Sequence, residues 1–254
     1  MVRKLKAKKR TLLVDGDIVC YRIATGIEEA TEWQDDMWTL HADAKMGKEI
    51  LDTSLNRYLK ELNCNNIVVA LSDKNNFRKK LLPEYKSHRK KIRKPIIVKP
   101  LKEYIYKKYP THRLPDLEGD DTLGILATST YKDNCVILSG DKDMRTIPSF
   151  HHFIHDNHTE LVDEKTADYY FMFQTLMGDS SDGYSGLKGC GAVKAERVLY
   201  NSEKTLPSMW KAVVEEYRRN NFTEKDALLQ ARMARILRSS DYNFKSKKPI
   251  LWNI

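Results

Sequence analysis

Nine acidic residues form five short clusters along a chain whose net charge is +9. They are Asp15, Asp73, Glu118, Asp120, Asp121, Asp141, Asp143, Asp179 and Asp182. Because like charges repel, acids gathered at one place on a basic protein need a bound cation that holds them together. Divalent metal ions are such cations, and a phosphate ester as substrate would suit the basic surroundings. Oxygen donors without partnered His or Cys favour Mg²⁺ or Mn²⁺ over zinc.

Three of the clusters directly follow short apolar segments that are rich in β-branched residues. These segments are 12–14, 67–71 and 136–138, and each has the pattern of a buried strand. In open α/β sheets, ligands bind beyond the carboxyl ends of the strands. We therefore expect the acids to meet at one edge of a sheet, where the EGDD acids at 118–121 would begin a helix.

Each cluster, taken alone, also has an explanation that involves no site. Asp15-Gly-Asp17 and Asp141-Lys-Asp143 could be turns, and the acids at 118–121 could complement a helix dipole. These explanations would have to apply independently at the same edge of one sheet. A shared metal site accounts for all of them together.

The alternation of strands and helices predicts an α/β fold with a mainly parallel central sheet and helices on both faces. Strands are predicted at 11–14, 67–71, 135–139 and about 152–154. Helices are predicted at 17–29, 42–62, from about 100, at 118–130, 164–177, 192–200, around Trp210 and at 223–238. The chain has 254 residues, enough for one large domain or a core with a smaller lobe.

The composition is that of a globular chain, with 41% hydrophobic and 31% charged residues. No apolar run approaches the roughly 18 residues of a membrane span, and the basic N-terminus lacks the apolar core of a secretory signal. The four cysteines are far apart and form no CxxC pair, so we expect free thiols in a reducing compartment.

The positive charge is concentrated in one internal segment. Residues 74–113 contain fifteen Lys or Arg and two acids, and the first ten residues add six more cations. Such a segment is often only a solvated surface, but its position between two acid clusters favours nucleic-acid binding.

Four histidines, at 151, 152, 155 and 158, could suggest a zinc site. On a strand, His151 and His155 would share a face while His152 lies opposite. No cysteine is near, and we interpret them as surface and edge-strand residues.

A glycine-rich element spans 178–194 and contains Gly189-Cys-Gly191 before a predicted helix. Backbone N–H groups at a helix start form an anion site, and glycines let a phosphate backbone approach closely. This signal is weak alone. The element also carries Asp179 and Asp182, so it could connect the metal site to a DNA backbone.

Taken together, these motifs resemble the bacteriophage 5′→3′ exonucleases and, more broadly, the 5′-nuclease (flap endonuclease) superfamily. The resemblance runs from about residue 12 to 242. It rests on VDGD (14–17), SDKNNFRKKLLPEYKSHR (72–89), LEGDD (117–121), LSGDKD (138–143), MGDSSDGYSGLKGCGAVKA (177–195) and ARILR (234–238). ARILR with DYNF is most similar to the exonucleases of short-tailed phages.

The resemblance implies a role for each acid. One metal would be held by Asp15, Asp73, Glu118 and Asp120, and a second by Asp120, Asp141, Asp143 and Asp182. Asp121 and Asp179 would orient the metals or ligate through water. Lys86 and Arg89 would meet the scissile phosphate. The two ions would be Mg²⁺ or Mn²⁺, and K⁺ would bind at a helix-three-turn-helix containing Gly189 and Gly191.

The resemblance also implies a domain plan and a DNA-binding surface. A basic tail (1–10) would precede a nuclease core (11–177) with a basic arch at about 74–113, followed by the helix-three-turn-helix and C-terminal helices (178–254). The DNA-binding residues would be Tyr85, Arg78, Lys79, Lys80, Lys90, Lys91, Arg93, Gly189, Gly191 and Lys194.

The implied substrates are duplex DNA with 5′ ends, nicks or flaps, and RNA/DNA hybrids. The role would be primer removal and DNA degradation in the cytoplasm of an infected bacterium, with phage replication proteins as further partners. Cys190 departs from the family's usual Val or Ile, a mild change. No polymerase domain follows, which favours a free-standing enzyme.

Two alternatives are kept open. A PIN-type ribonuclease has a similar acid cluster but is shorter and lacks the glycine-rich element. A non-catalytic DNA-binding protein would leave DNA intact with Mg²⁺ present.

Overall fold

The computed structural model of the chain describes residues 10–254, apart from the side chain of Lys90. The predicted tail at 1–10 therefore lies outside the described residues except for Arg10. The strands are β1 (Arg10–Asp15), β2 (Glu29–Glu32), β3 (Trp38–His41), β4 (Cys64–Ala70), β5 (Thr111–His112), β6 (Cys135–Ser139), β7 (Ser149–Phe153), β8 (His158–Val162), β9 (Tyr242–Asn243) and β10 (Lys248–Pro249).

Most of the remaining chain is helical. The α-helices are α1 (Gly16–Ile27), α2 (Ala44–Glu61), α3 (Arg78–Leu81), α4 (Val98–Lys108), α5 (Gly119–Ala127), α6 (Glu164–Met177), α7 (Ala192–Tyr200), α8 (Leu206–Arg219) and α9 (Glu224–Ala234). Short 3-10 helices span Ser87–Lys91, Lys142–Thr146 and Ser239–Asp241.

The central sheet has six strands in the order β5-β4-β1-β6-β7-β8. All neighbours are parallel except β7 and β8, which are antiparallel. The mainly parallel sheet predicted from the apolar segments is confirmed. Because its central strands run in one direction, the residues that follow β1, β4 and β6 emerge at one edge.

Helices cover both faces of this sheet. Side chains alternate along β1, so Leu12 and Val14 pack in one core with helices α1, α2 and α4. Leu13 points to the other face and packs with Leu123 and Leu126 of α5. The prediction of helices on both faces is confirmed, and the two cores fix α1, α4 and α5 around the carboxyl edge.

Helices α6–α9 build a separate apolar core. Phe171 of α6, Trp210 of α8 and Trp252 pack together there. The ring of Trp252 lies edge-on to the rings of Phe171 and Trp210. The Tyr217 hydroxyl donates a 2.8 Å hydrogen bond to the carbonyl of Thr175. This helical layer includes α6 as well as the helices that follow it, and the boundary after residue 177 stays a prediction.

An exposed hairpin formed by β2 and β3 was not predicted. Its strands pair in antiparallel register, and Trp33, Met37 and Trp38 are each more than half exposed. At its base, Glu28 is bonded to Arg93 in the basic segment. The segment lacks the alternating apolar pattern that marks a half-buried strand, so the sequence provided no signal for it.

The interpretation of the histidines was wrong for two of them. His151 and His152 are buried in β7, which lies inside the sheet between β6 and β8 rather than at an edge. His151 is bonded through Nε2 to the carbonyl of Ile147, and burial lowers its pKa to about 4. These rings are parts of the core. The sequence carries no signal for β8, the edge strand that pairs with β7 and so places β7 inside the sheet.

All four cysteines are free thiols, as predicted. Among residues 10–254, no helix has both the length and the apolar composition required to cross a lipid bilayer.

Candidate active site

Asp15 is fixed at the carboxyl edge by three elements. It is the last residue of β1 and the N-cap of α1, where its Oδ1 accepts a 3.0 Å hydrogen bond from the amide of Ile18. Its Oδ2 accepts a 2.8 Å bond from the hydroxyl of Ser139, the last residue of β6. Burial and repulsion from Asp17 raise the pKa of Asp15 to about 7. The carboxylate is oriented, but its charge is costly without a cation.

Asp120, Asp141 and Asp143 share this unfavourable environment. Asp120 lies in the first turn of α5, where burial and repulsion from Asp15 raise its pKa strongly. Asp141 caps a 3-10 helix by accepting a 2.9 Å bond from the amide of Asp143. Burial, followed by repulsion from Asp141 and Asp179, raises the pKa of Asp143 to about 8. Buried acids that repel one another would be stabilised by a shared cation.

The loop at 178–183 brings Asp179 and Asp182 to the same place. Asp179 accepts bonds from the amides of Ser181 at 2.6 Å and Asp182 at 3.3 Å, so it organises the turn. Although burial opposes it, these bonds lower the pKa of Asp179. The amide of Lys86 donates a 2.8 Å bond to the carbonyl of Asp182. The loop is thereby joined to the basic segment.

Lys86 and Arg89 lie against the acids, and their predicted contact with the scissile phosphate stays a prediction. The Lys86 ammonium is 2.6 Å from Glu118 Oε1 and 3.3 Å from Asp182 Oδ2. Arg89 Nη2 is 2.6 Å from Asp182 Oδ1 and donates to the carbonyl of Ser181. Burial would raise the pKa of Glu118, but Lys86 and Arg78 overcome it and lower the pKa to about 2. The two cations thus neutralise one side of the acid cluster.

Tyr85 and Arg78 were predicted to bind DNA, but both are buried. The Tyr85 hydroxyl is 2.8 Å from Glu118 Oε2 and 3.1 Å from Asp182 Oδ2, so it joins two acids from different elements. Arg78 donates to both oxygens of Asp121 and to the carbonyls of Met233 and Arg235. Both side chains are bonded to protein partners in this structure, and their DNA-binding role stays a prediction. The apolar and long-range partners that bury them are not visible in the local sequence.

Asp121 was predicted to orient the metals or to ligate through water, and this role stays a prediction; in the structure its oxygens are bonded to protein partners. It is fully buried, and Arg78 occupies its two oxygens at 2.7 and 2.8 Å. It also accepts a hydrogen bond from the amide of Leu237. Asp121 therefore anchors the start of α5 to the basic segment and to the C-terminal chain. These contacts leave it no free oxygen that faces the other acids.

Within the described part of the chain, no three His, Cys, Asp or Glu side chains already form a compact metal-binding group. The acids are instead partly occupied by Lys86, Arg89 and backbone donors. One oxygen, Oδ1 of Asp143, is buried without a hydrogen-bond partner. An acceptor of this kind is one that a cation would satisfy.

The sequence of this chain matches that of a known protein family. The family model described as the 5′-3′ exonuclease N-terminal resolvase-like domain matches residues 10–171, which is more than half of the chain. The chain belongs to the 5′→3′ exonuclease family. It is a nuclease, an enzyme that hydrolyses phosphodiester bonds.

Relatives and solved structures agree with this family. The chain is similar to the exonuclease of Escherichia phage T7, with 31% identity over 96% of this chain and 93% of that protein. It is 30% identical to the exodeoxyribonuclease of Enterobacteria phage T3, over the same shares of the two chains. The bacteriophage T5 D15 flap endonuclease, solved with DNA and metal ions, has the same fold, with a TM-score of 0.69, 15% identity and 89% coverage of both chains.

Asp73 of this exonuclease-family chain is held by backbone donors. Its Oδ2 accepts a 3.0 Å bond from the amide of Asp116, and bonds from the amides of Lys74 and Asn75 also lower its pKa. It thus stabilises the turn that begins the basic segment. Its place in a metal site stays a prediction.

Two residues of the edge were not predicted. Asp17 lies two residues after Asp15, and its Oδ2 accepts a 2.8 Å bond from the amide of Ser72. Ser139 donates to Asp15 and accepts from the amide of Asp141. The spacing in Asp15-Gly-Asp17 was available as a signal for Asp17, whereas a serine at a strand end carries no signal of its own.

The other basic residues of the family member have varied surroundings. Lys79 and Lys91 are exposed, and Lys80 is exposed but paired with Asp116 at 2.9 Å. Arg93 is exposed and paired with Glu28. Lys90 lies outside the described side chains. The DNA-binding role of these residues stays a prediction.

The glycine turn before α7 is exposed. Gly189 has φ of +75°, a conformation that favours glycine, whereas Gly191 has ordinary backbone angles and open space around it. Lys194 faces inward, 2.9 Å from Glu216 Oε1. Its partner in this structure is a protein carboxylate, so a DNA contact would require this pair to open.

Proposed function

We propose that this protein is a metal-dependent nuclease that cuts DNA duplexes at 5′ ends, nicks or flaps. One observation carries the proposal: buried acids lie together at one edge of the sheet, and the cations Lys86 and Arg89 face them. Metal-dependent phosphodiester hydrolysis uses both features, because the acids hold the ions that activate a water molecule while the cations neutralise charge on the phosphate.

The residues fit a pair of divalent cations. The donors are all carboxylate oxygens, which suit Mg²⁺ or Mn²⁺. Asp143 has a buried oxygen without a partner. Burial, followed by repulsion from neighbouring acids, raises the pKa values of Asp15 and Asp143, and bound cations would stabilise their charged forms. Asp15, Asp120, Asp141, Asp143 and Asp182 are the residues we expect to hold the ions, with Glu118 and Asp179 beside them.

When bound, the two ions would supply an activated water and neutralise charge on the leaving oxygen. The protein's own contribution is orientation. The amide of Ile18 and the hydroxyl of Ser139 fix the two oxygens of Asp15. The Tyr85 hydroxyl keeps Glu118 and Asp182 in a fixed relation. Such oriented ligands lower the reorganisation that the reaction requires.

Lys86 and Arg89 would exchange their carboxylate partners for the scissile phosphate. Lys86 provides a compact charge and Arg89 a planar group suited to two phosphate oxygens. Both approach the acids from the basic segment, so a phosphate entering between them would meet acids on one side and cations on the other.

Several finer features follow from the resemblance to phage exonucleases. RNA/DNA hybrids are expected as substrates during primer removal, and phage replication proteins as partners inside the infected bacterium. The Gly189–Gly191 turn is expected to contact the duplex backbone with a bound K⁺. The exposed, open position of this turn supports that expectation.

The test uses end-labelled blunt, nicked and flapped duplexes. With Mg²⁺, wild-type protein should release 5′-phosphorylated products, and EDTA should stop the reaction. Asp120→Asn should lose cleavage and keep DNA binding. Asp36→Asn, an equal charge change on the exposed hairpin, should cleave at the wild-type rate. Cleavage in EDTA by purified protein would overturn the metal assignment, and binding without cleavage by the wild type would favour a non-catalytic DNA-binding protein.

A further inference from the structure

A second lysine approaches the acidic edge from the far end of the basic segment. Lys102 lies on α4, and its ammonium is bonded to Oδ1 of Asp17. Asp17 raises the pKa of Asp15. Asp15 in turn is a neighbour of Asp120, on which Lys86 acts. The acids thus form a connected series with Lys86 at one end and Lys102 at the other.

The backbone beneath Lys102 is fixed. Leu101 and Ile105 of α4 are fully buried in the core shared with α1 and α2. The side chain of Lys102 is 30% exposed, twice the value for Lys86. The ammonium is therefore held at the edge of the acid cluster while solvent and a ligand can reach it.

Asp17 does not depend on Lys102 for its position. Its Oδ2 accepts from the amide of Ser72, and the hydroxyl of Ser72 accepts from the amide of Gly119. Among the described residues, Asp17 is the acid that pairs with Lys102. A partly exposed ion pair is weak, so the lysine can exchange this carboxylate for a more strongly charged anion.

We propose that Lys102 binds a DNA backbone phosphate next to the one that is cut, and that Asp17 occupies the place of this phosphate in the DNA-free protein. The inference rests on the proposed action on DNA. It adds a second contact point, so that the substrate backbone would be held on both sides of the acids. Asp17 would compete with DNA for Lys102.

The competition predicts opposite effects for the two partners. Binding of a 5′-labelled duplex is measured by fluorescence anisotropy in EDTA over a series of salt concentrations. Lys102→Gln should weaken binding by about two- to five-fold at low salt and lower the salt slope by about 0.9, the value for one phosphate contact. Asp17→Asn should tighten binding by a similar factor because it frees the lysine.

The double variant decides between competition and a general charge effect. If Asp17 acts through Lys102, Asp17→Asn should have little effect when Lys102 is already Gln. An equal tightening in both backgrounds would overturn the inference, because it would mean that removal of any acid helps. Lys102→Arg keeps the charge and should keep the slope.

Lys108→Gln is the matched control. Lys108 lies on the same helix but pairs with Asp52, away from the acid cluster. Lys108→Gln should leave the salt slope of DNA binding unchanged. A decrease in this slope equal to that of Lys102→Gln would overturn the inference. Melting temperatures of each variant show whether folding is intact.

The wild type tests the proposed function separately, by cleavage of the same duplex with Mg²⁺. A wild type that cuts while the two substitutions are additive would refute only the role of Lys102. A wild type that does not bind duplex DNA would refute both.

Discussion

Arg78 and Asp121 form a two-point ion pair inside the protein, with N–O distances of 2.7 and 2.8 Å. Neither side chain is exposed by more than 3%. The pair joins the start of the basic segment to the start of α5, which carries Glu118 and Asp120 at the acidic edge. Its geometry gives Asp121 a structural role, and the same guanidinium also lies 3.3 Å from Oε2 of Glu118.

Breaking this pair should destabilise the fold. Asp121→Ala leaves the buried Arg78 guanidinium with only its longer 3.3 Å ion pair to Glu118, and loss of one partner from a buried pair costs about 3–5 kcal/mol. The free energy of unfolding, measured in urea, should fall by this amount. The control is Asp116→Ala, which removes an exposed pair with Lys80 and should cost under about 1 kcal/mol. A stable Asp121→Ala protein that has lost only activity would support the metal role instead.

Asp120→Asn should have the opposite effect on stability. Burial and repulsion from Asp15 raise the pKa of Asp120, so its charge opposes folding in the absence of metal. The neutral amide should raise the unfolding free energy in EDTA by about 0.5–2 kcal/mol while cleavage is nearly abolished. The melting temperature and the single-turnover rate measure the two effects on one sample. A variant that is both less stable and inactive would contradict the electrostatic explanation.

The acid cluster should make the metal-free protein sensitive to pH. Asp15 and Asp143 have pKa values raised to about 7 and about 8, so the folded state holds protons that the unfolded state has lost. Their stabilising contribution is complete below the unfolded pKa of about 3.8 and disappears as pH rises through 7 and 8.

Stability in EDTA should therefore fall as the pH rises from 6.5 to 8 and become constant above pH 8, because both acids have then lost their protons in the folded state. The buried His151 does not titrate in the folded protein over this range, because its pKa is about 4. Mg²⁺ should remove the fall, and its apparent affinity should rise with pH because binding displaces protons. Calorimetric melting with and without Mg²⁺ measures both, and Asp143→Asn should reduce the dependence. An affinity that is constant over this range would show that the acids are ionised without metal.

Tyr85→Phe should slow cleavage without weakening DNA binding. The hydroxyl is bonded to Glu118 and Asp182 inside the protein, so its loss disturbs ligand orientation and removes no phosphate contact. A decrease of about 10-fold in the single-turnover rate is expected, with an unchanged salt slope of binding. Lys86→Ala, tested beside it, should slow the rate by about 10²-fold or more. A reduced salt slope of DNA binding for Tyr85→Phe would instead support the prediction that Tyr85 contacts DNA.

The two glycines of the turn before α7 should respond differently to substitution. Gly189→Ala forces a side chain into φ of +75° and should cost about 1 kcal/mol of stability. Gly191→Ala meets open space and should be neutral, whereas Gly191→Asp adds a negative charge where a DNA phosphate is expected to bind. The ratio of duplex to short single-strand kcat/KM should fall for Gly191→Asp alone among the Gly191 variants. An unchanged ratio would mean that the turn is only a connector.

The acidic edge could be predicted because each of its parts has a local signal. The apolar segments before Asp15 and Asp141 define strands, and parallel strands place their ends together. The roles of Arg78, Tyr85 and Asp121 could not be predicted this way. Their partners lie far along the chain, and burial by α9 and the segment after it turns a basic motif into an internal support.

The strands that the sequence did not predict also depend on distant partners. β8 is recognisable only through its pairing with β7, and the β2–β3 hairpin has side chains exposed on both faces. Strand formation there depends on cross-strand bonds rather than on an apolar pattern. The hairpin also contains Trp33, whose indole N–H donates a 2.9 Å bond to Thr39.

This hairpin gives the molecule two distinct optical reporters. The chain has four tryptophans. Trp33 and Trp38 are more than half exposed beside the basic segment, and Trp210 and Trp252 are in edge-to-face contact within the helical core. Emission from the first pair is accessible to a soluble quencher such as acrylamide, and emission from the second is shielded from it. The intrinsic fluorescence of the unlabelled protein can thus distinguish events near the basic segment from loosening of the C-terminal helices.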